Sequence, residues 1–379
     1  MSTLVLRAYN YSITDNWLNN NTSYRVYFLH SSYNGYPDTK VLESINIHWI
    51  GFNPPKPWEH YTLAIMISII MTIGLIGNFL VICMFSRSRI LKRASNILLL
   101  NLAFADFFML AKSPIYIYNC LKFGPASGDL ACRAYGFIGG LTGTVSIMTL
   151  SAISFDRYMG IMYPFNTEKF GNKKIRAFIL VAFVWFYSFT FAIMPALNIG
   201  LSKYTPEGFL TSCGFDYLDN QTSARIFMFT FFIGAWMIPF LTITYCYIQI
   251  FRVVNLTRQI QSNRKRQRAE QKLAIVVMNL IAIWFFAWTP YAIVALLGIA
   301  GQQQYITPWA SMIPALFCKA SACINPYIYS IRYPEFKQEI FRILSKYFKF
   351  ADEHLQQNAT RTMSVHFVTR TRVQINEQY

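Results

Sequence analysis

One lysine of this chain occupies a place where a charged side chain is rarely found. Lys319 follows 46 residues without any Asp, Glu, Lys or Arg, and 12 further uncharged residues separate it from Arg332. If this stretch crosses a bilayer, the amine lies near the membrane midplane, where a charge is costly unless it is paired or functional. The amine could serve as an ion-pair partner, as a proton or ion relay, or as a nucleophile that condenses with an aldehyde to form a Schiff base.

The sequence offers little support for other kinds of chemistry. The five histidines all lie outside the apolar stretches: His30, His48, His60, His354 and His366. No spacing of His, Cys, Asp or Glu indicates a metal site, and no nucleophile has a general base at a suitable position. We therefore expect neither a metal centre nor an enzyme.

Long uncharged runs predict the elements that must position Lys319. Of the 379 residues, 54% are hydrophobic and 13% charged, which is too apolar for an ordinary soluble protein. Since about 20 apolar residues cross a bilayer, and backbone in lipid must be helical, the runs predict membrane helices. The uncharged runs are 62–86, 134–155, 177–202, 226–251 and 273–318, and a further span lies at about 96–119. A loop at 298–308 divides the last run into two spans, the second of which continues to about 331, so the total is seven. The expected fold is an all-α membrane protein, a seven-transmembrane helix bundle. Despite the net charge of +17, this excludes a soluble enzyme, a repeat solenoid or a nucleic-acid-binding module.

The distribution of Lys and Arg predicts the orientation of the bundle. Both residue types cluster in the loops after the first, third and fifth spans, so the positive-inside bias places these loops in the cytoplasm. The expected organisation is an extracellular tail (1–60), the bundle (61–332), a short amphipathic eighth helix on the inner leaflet (333–350) and a disordered cytoplasmic tail (351–379). We expect a multi-pass plasma-membrane protein whose first span acts as its own insertion signal. Glycosylation sequons on the expected outer side begin at Asn10, Asn20, Asn21 and Asn220.

The cysteines add one constraint on the outer surface. Five of the seven lie within or at the ends of the expected spans. Only Cys132 and Cys213 are both expected in the oxidising compartment, which predicts a disulfide between them.

Several short motifs follow one another in a fixed order along the spans. Asp156-Arg157-Tyr158 ends the third span, Trp288-Thr-Pro-Tyr291 lies in the sixth, and Asn325-Pro326-x-x-Tyr329 lies in the seventh. With these motifs the chain resembles a rhodopsin-like G-protein-coupled receptor. Lys319, six residues before Asn325, is similar to the retinal attachment point of the opsins. The segment from Pro206 to Tyr217 is similar to the second outer loop of arthropod rhabdomeric opsins.

This resemblance implies a retinal chromophore, 11-cis-retinal or a close analogue such as 3-hydroxyretinal, bound to Lys319 as a Schiff base. A protonated Schiff base is a buried cation that needs a nearby anion. Where vertebrate visual opsins have a carboxylate, three residues after the disulfide cysteine, this chain has Tyr135. The resemblance therefore assigns the counterion role to Glu207, whose alternative interpretation is a solvated loop glutamate.

Lys112 is the second unusual lysine. The string Lys112-Ser-Pro-Ile115 resembles the ultraviolet-sensitive group of insect opsins. A second cation near the Schiff base disfavours its protonated form, and an unprotonated retinal imine absorbs in the ultraviolet. The alternative is a lysine that extends to the membrane interface.

The resemblance also implies two sets of residues around and below the chromophore. The retinal pocket would comprise Gly139, Gly140, Gly143, Phe231, Phe232, Trp236, Trp284, Trp288, Tyr291 and Ala315. Alternatively, the aromatic residues are ordinary core and Gly139 and Gly143 allow close helix contact. G-protein activation would involve Asp156, Arg157, Tyr158, Tyr247, Glu270, Asn325, Pro326 and Tyr329. For Glu270 the alternative is a surface ion pair of little energetic value.

The implied activity is phototransduction in a rhabdomeric photoreceptor membrane. The implied partners are a heterotrimeric G protein of the Gq class, arrestin and the lipid bilayer. Other interpretations are a non-visual opsin with visible absorption or different G-protein coupling, a receptor for a diffusible ligand in which Lys319 only forms an ion pair, and a retinal-binding isomerase or transporter.

Overall fold

Seven long helices make up most of the described chain. The computed structural model describes residues 40–41, 44–87, 94–163, 172–257 and 264–332 and three single positions further on. It does not describe the side chains at 50, 87, 94–95, 254–276 and 329–332. The helices are α1 (Pro57–Arg87), α2 (Ala94–Ala111 and Ser113–Leu121), α3 (Gly128–Met162), α4 (Lys173–Leu197), α5 (Thr222–Phe232, a π-helical turn Ile233–Met237, and Ile238–Thr257), α6 (Arg264–Ile299) and α7 (Pro308–Arg332). A short helix, Ile47–Ile50, precedes α1, and a 3₁₀ turn, Gln303–Tyr305, connects α6 to α7.

The chain divides into two compact units, Met1–Ile328 and Tyr329–Tyr379. In the second unit the structure describes the end of α7 and single helical positions at 338, 342 and 345. The amphipathic helix expected at 333–350 therefore lies mostly outside the described residues and stays a prediction.

The helices have the length and composition of membrane spans. Six of them, α1 to α6, are long and apolar enough to cross a membrane within the described residues, and α7 has 25 residues. The ends of the helices differ from the ends of the uncharged runs. The third run, 134–155, lies within the longer α3 because a helix can continue past the lipid with charged residues. The run 177–202 extends beyond α4, which ends at Leu197 before Asn198 adopts a left-handed conformation with φ 52°.

A local break in α2 sets the position of Lys112. Pro114 follows two residues later, and a proline inside a helix removes one backbone donor and clashes with the carbonyl four residues earlier. The helix accordingly stops at Ala111 and restarts at Ser113, with Lys112 between the two parts. The break directs this residue into the bundle, where its side chain is 8% exposed.

A β-hairpin packs against α3. Strands β1 (Tyr204–Glu207) and β2 (Ser212–Phe215) pair antiparallel, with Glu207 opposite Ser212. The disulfide predicted between Cys132 at the start of α3 and Cys213 in β2 is confirmed. Ile45 and Trp49, from the segment before α1, join the hydrophobic cluster of the hairpin. The hairpin is thus fixed to α3 by a covalent bond and covered by apolar side chains.

Candidate ligand-binding site

Lys319 lies in the middle of α7 and is buried, with 6% of its surface exposed. Its Nζ donates a hydrogen bond to the carbonyl oxygen of Ala315, one turn earlier, at 3.1 Å. The same nitrogen is 5.4 Å from the ring centre of Tyr116 and 5.9 Å from that of Tyr135. Two aromatic faces thus surround the amine, an arrangement that favours a cation.

Lys112 reaches the same region from α2. Its Nζ donates to the carbonyl oxygen of Tyr135 at 3.1 Å and lies 4.0 Å from the centre of that ring. A Cβ atom at Gly139 would collide with this nitrogen, so glycine at 139 leaves space for the lysine. The expected alternative, a lysine extending to the membrane interface, does not agree with this buried position.

Glu207 enters the site from the end of β1. The hairpin holds its side chain in the bundle with 6% of its surface exposed, which excludes the interpretation as a solvated loop glutamate. The Tyr291 hydroxyl donates to its Oε2 over 3.5 Å. Burial raises the pKa of the Glu207 carboxyl to about 7, an effect that Lys319, Tyr217 and Lys112 partly oppose. This carboxyl group therefore titrates near neutral pH.

All three ionisable side chains line one cavity, whose volume is about 140 Å³. Each of the residues expected to form the retinal pocket also lines it: Gly139, Gly140, Gly143, Phe231, Phe232, Trp236, Trp284, Trp288, Tyr291 and Ala315, together with Tyr135. Further residues that the sequence did not indicate also line the cavity, among them Thr144, Phe215 and Cys318. Thr144 and Cys318 adjoin predicted residues in the sequence, but only helical phase and the disulfide show that they face the cavity.

The glycines of α3 give the cavity its shape. A Cβ at Gly143 would collide with the indole of Trp288, and a Cβ at Gly140 would press against Phe215 and Tyr204. These glycines therefore face side chains at the cavity and do not mark a helix–helix contact of the kind that small residues allow in membranes. Trp288 in turn stacks on Trp284, with ring centroids 5.2 Å apart and an angle of 10° between the planes.

Polar networks connect the helices further along the bundle. Asp106 is buried and accepts hydrogen bonds from Ser146 of α3 at 3.0 Å and from Asn325 of α7 at 2.6 Å. Asp106 was not among the predicted functional residues, although it is a carboxylate inside a predicted span. The network ties α2, α3 and α7 together beside the proline at 326, which breaks the backbone bonding of α7.

A second polar network lies near the C-terminal end of α3. The two carboxylate oxygens of Asp156 accept from Arg157 at 2.7 Å and from Arg176 of α4 at 2.5 Å. The ring of Tyr158 is 5.8 Å from that of Tyr245. Tyr247 is buried. The side chains of Glu270 and Tyr329 lie outside the described residues, so the part in activation predicted for them stays a prediction.

Two other sets of expectations concern modification and metals. Asn220 is exposed, and its Oδ1 accepts from Arg225 at 2.8 Å. Asn10, Asn20 and Asn21 lie outside the described residues, so glycosylation remains a prediction. Among the residues that the structure describes, no three His, Cys, Asp or Glu side chains are grouped in a way that could hold a metal ion.

Together these features define a membrane receptor in which a bundle of seven helices encloses a ligand cavity. The family described as "7 transmembrane receptor (rhodopsin family)" matches residues 77–329. The chain is 36% identical to an ultraviolet-sensitive opsin of Apis mellifera over 308 residues, 77% of this chain and 82% of that one. It is 37% identical to an opsin of Manduca sexta over 79% and 83% of the two chains. The crystal structure of squid rhodopsin matches with a TM-score of 0.74 and 35% identity, over 79% of this chain and 89% of that one.

The chain therefore belongs to the rhodopsin family of seven-transmembrane receptors and, within it, to the opsins of rhabdomeric type. As an opsin it is a light-activated G-protein-coupled receptor and a multi-pass membrane protein. The predicted family and seven-helix fold are confirmed.

Proposed function

We propose that this opsin binds retinal at Lys319, absorbs in the ultraviolet and activates a G protein of the Gq class. The observation that carries the proposal is the buried amine of α7 in an aromatic cavity, with Glu207 and Lys112 beside it. When bound, retinal, as 11-cis-retinal or a close analogue such as 3-hydroxyretinal, supplies light absorption through a Schiff base on Lys319 and a change of shape on illumination.

The residues around Lys319 fit a flat, apolar ligand that ends in an aldehyde. The cavity wall is mainly aromatic, and the three glycines of α3 leave room along one side. Ala315, one turn before Lys319, has a small side chain beside the amine. A narrow apolar site with a few polar groups at one end is typical of small-molecule binding.

Glu207 is proposed to balance positive charge in this site. Among the described residues that line the cavity, it is the only one with a carboxylate. Tyr135 occupies the α3 position next to both lysines and supplies a ring face but no negative charge. A single carboxylate then serves two nitrogens, and the two compete for it.

Lys112 decides that competition in our proposal. A second cation in the same low-dielectric cavity disfavours a proton on Lys319 Nζ, because like charges repel more strongly there than in water. Glu207 then pairs with the Lys112 ammonium, and the Lys319 nitrogen stays neutral. This is the physical basis for ultraviolet absorption.

The aromatic residues are proposed to transmit the response to α6. Trp288 packs against Gly143 of α3 and stacks on Trp284, which also belongs to α6, so pressure on the Trp288 indole acts on α6. Pro290, two residues later, interrupts the helix there and makes it easier to bend. Release of Arg157 from Asp156, with Tyr158, Tyr247, Glu270, Asn325, Pro326 and Tyr329 as further contributors, would open the site for the G protein.

The remaining parts of the proposal concern the cellular setting. The Gq class is carried over from the rhabdomeric opsins, and arrestin would bind the tail at 351–379. The protein would lie in the plasma membrane of a rhabdomeric photoreceptor with residues 1–60 outside, glycosylated at Asn10, Asn20, Asn21 and Asn220.

The test combines a spectrum with a coupling assay. Protein reconstituted with 11-cis-retinal should show an ultraviolet main band and, after illumination, accelerate nucleotide exchange on Gq more than on other G-protein classes. The Lys319→Ala variant should lose both the band and the light response. Visible absorption would reject the ultraviolet assignment, and equal exchange on every class would reject the Gq assignment.

A further inference from the structure

The described lining of the Lys319 cavity contains more basic than acidic side chains. The basic groups are the amines of Lys112 and Lys319, and the acidic group is the carboxyl of Glu207. Both lysines are more than nine-tenths buried. In the part of the chain that the structure describes, neither Nζ has a carboxylate oxygen within 4 Å. Buried charges are ordinarily paired, so both amines can hold a proton in this cavity only if a further anion lies beside them.

The hydrogen bonds of the two lysines lead to the same conclusion. An ammonium has three donors. Within the described residues Lys112 Nζ donates to one acceptor, the Tyr135 carbonyl, and Lys319 Nζ to one, the Ala315 carbonyl. Both nitrogens lie within 6 Å of the Tyr135 ring centre, so they are within about 10 Å of each other. Donors left over on both groups can converge on one acceptor between them.

The rest of the cavity is apolar. Aromatic side chains line it from α5 and α6, including Phe231, Phe232 and Trp288. A small inorganic anion would satisfy the lysines but would leave this aromatic surface without apolar contacts. A ligand that fills both parts has a carboxylate head and a long hydrocarbon chain, as a fatty acid has.

We propose that, before retinal is attached, the cavity binds a long-chain monocarboxylic acid. Its carboxylate lies between Lys112 and Lys319, and its hydrocarbon chain occupies the aromatic part of the cavity. The ligand carboxylate and Glu207 together balance the two ammonium groups. Once Lys319 Nζ is occupied and neutral, Glu207 alone balances Lys112, so the acid and retinal exclude each other. This last step rests on the proposed function, whereas binding of the acid does not.

The test uses the full-length retinal-free protein in lipid nanodiscs with cis-parinaric acid, a fluorescent fatty acid that accepts excitation energy from tryptophan. We expect saturable energy transfer from the cavity tryptophans. Oleic acid should displace the probe, while methyl oleate and oleyl alcohol, which have the same chain without the charge, should not. Replacing chloride by gluconate should leave binding unchanged, and competition by chloride would instead identify a halide site.

Variants test the two lysines separately. Lys112→Met and Lys319→Met should each weaken binding by about 10-fold or more, as expected for loss of one charge-assisted hydrogen bond. The Lys112→Arg variant should retain most of the binding. The variant with methionine at both positions measures the background signal from probe dissolved in the bilayer. Since each Met variant removes a buried charge, folding should persist, which thermal unfolding checks. Displacement by methyl oleate, or undiminished binding by both Met variants, overturns the proposal.

The outcome is distinguishable from a failure of the proposed function. All of these measurements are made without retinal. A pigment that forms normally in a protein that does not bind oleic acid would overturn this inference alone.

Discussion

The replacement Lys112→Glu tests how the cavity controls the proton on Lys319. Lys112 is a buried cation whose Nζ lies within about 10 Å of Lys319 Nζ. At that separation two unit charges interact by about 1.7 kcal/mol at an effective dielectric constant of about 20. Reversing the charge at position 112 doubles the effect to about 3 kcal/mol. The ratio of protonated to neutral Lys319 nitrogen should therefore rise by more than about 100-fold.

The assay is the absorption spectrum of the pigment formed with 11-cis-retinal. The unchanged protein should absorb in the ultraviolet, Lys112→Glu in the visible, and Lys112→Met in a pH-dependent mixture of both. Lys112→Arg keeps the charge and should keep the ultraviolet band. Lys112 does not control the proton on Lys319 if Lys112→Glu still absorbs in the ultraviolet at neutral pH, or if Lys112→Arg shifts the band as far as Lys112→Glu does.

Three further predictions follow from the same geometry. Burial raises the pKa of Glu207 from 4.5 to about 7, so the folded protein binds this proton more tightly than the unfolded chain does. The free energy of unfolding of the retinal-free protein should consequently fall by about 3 kcal/mol as the pH rises from 4.5 to 7. When thermal unfolding is measured as a function of pH, the Glu207→Gln variant should lack this loss of stability. Identical pH profiles for the variant and the unchanged protein would contradict the prediction. Replacing Cys132 and Cys213 by alanine removes a cross-link between residues with a sequence separation of 81. The free energy of unfolding should fall by about 4 kcal/mol, and Glu207 should become accessible to solvent. Unchanged thermal unfolding would contradict this prediction. Gly143→Ala should displace Trp288 at a cost of about 1–3 kcal/mol and slow pigment formation by about 10-fold, measured as growth of the pigment band; an unchanged rate would contradict the steric role of this glycine.

The seven helices could be predicted because lipid imposes a simple rule on the sequence. A helix that faces hydrocarbon excludes charge, so uncharged runs locate the spans. The same rule does not fix the ends. The end of α4 at Leu197 depends on the left-handed residue Asn198, and no change of charge marks it.

The site required information that the sequence does not contain in a local form. Glu207 could equally be solvated or buried until the disulfide at Cys213 fixed the hairpin against α3. Lys112 could equally face the interface or the cavity, and its direction depends on the break in α2 and on the gap at Gly139. The bond from Arg176 to Asp156 was missed because the partners belong to different helices, 20 positions apart in sequence.

The most direct test of the account is to locate the covalent bond between retinal and the protein. Borohydride reduction of the reconstituted pigment, followed by mass spectrometry of its peptides, should find the retinyl group on the peptide that contains Lys319. Lys319→Arg should yield neither the adduct nor the pigment band. A retinyl group on Lys112 or another lysine, or a pigment that forms without any adduct, would contradict the account.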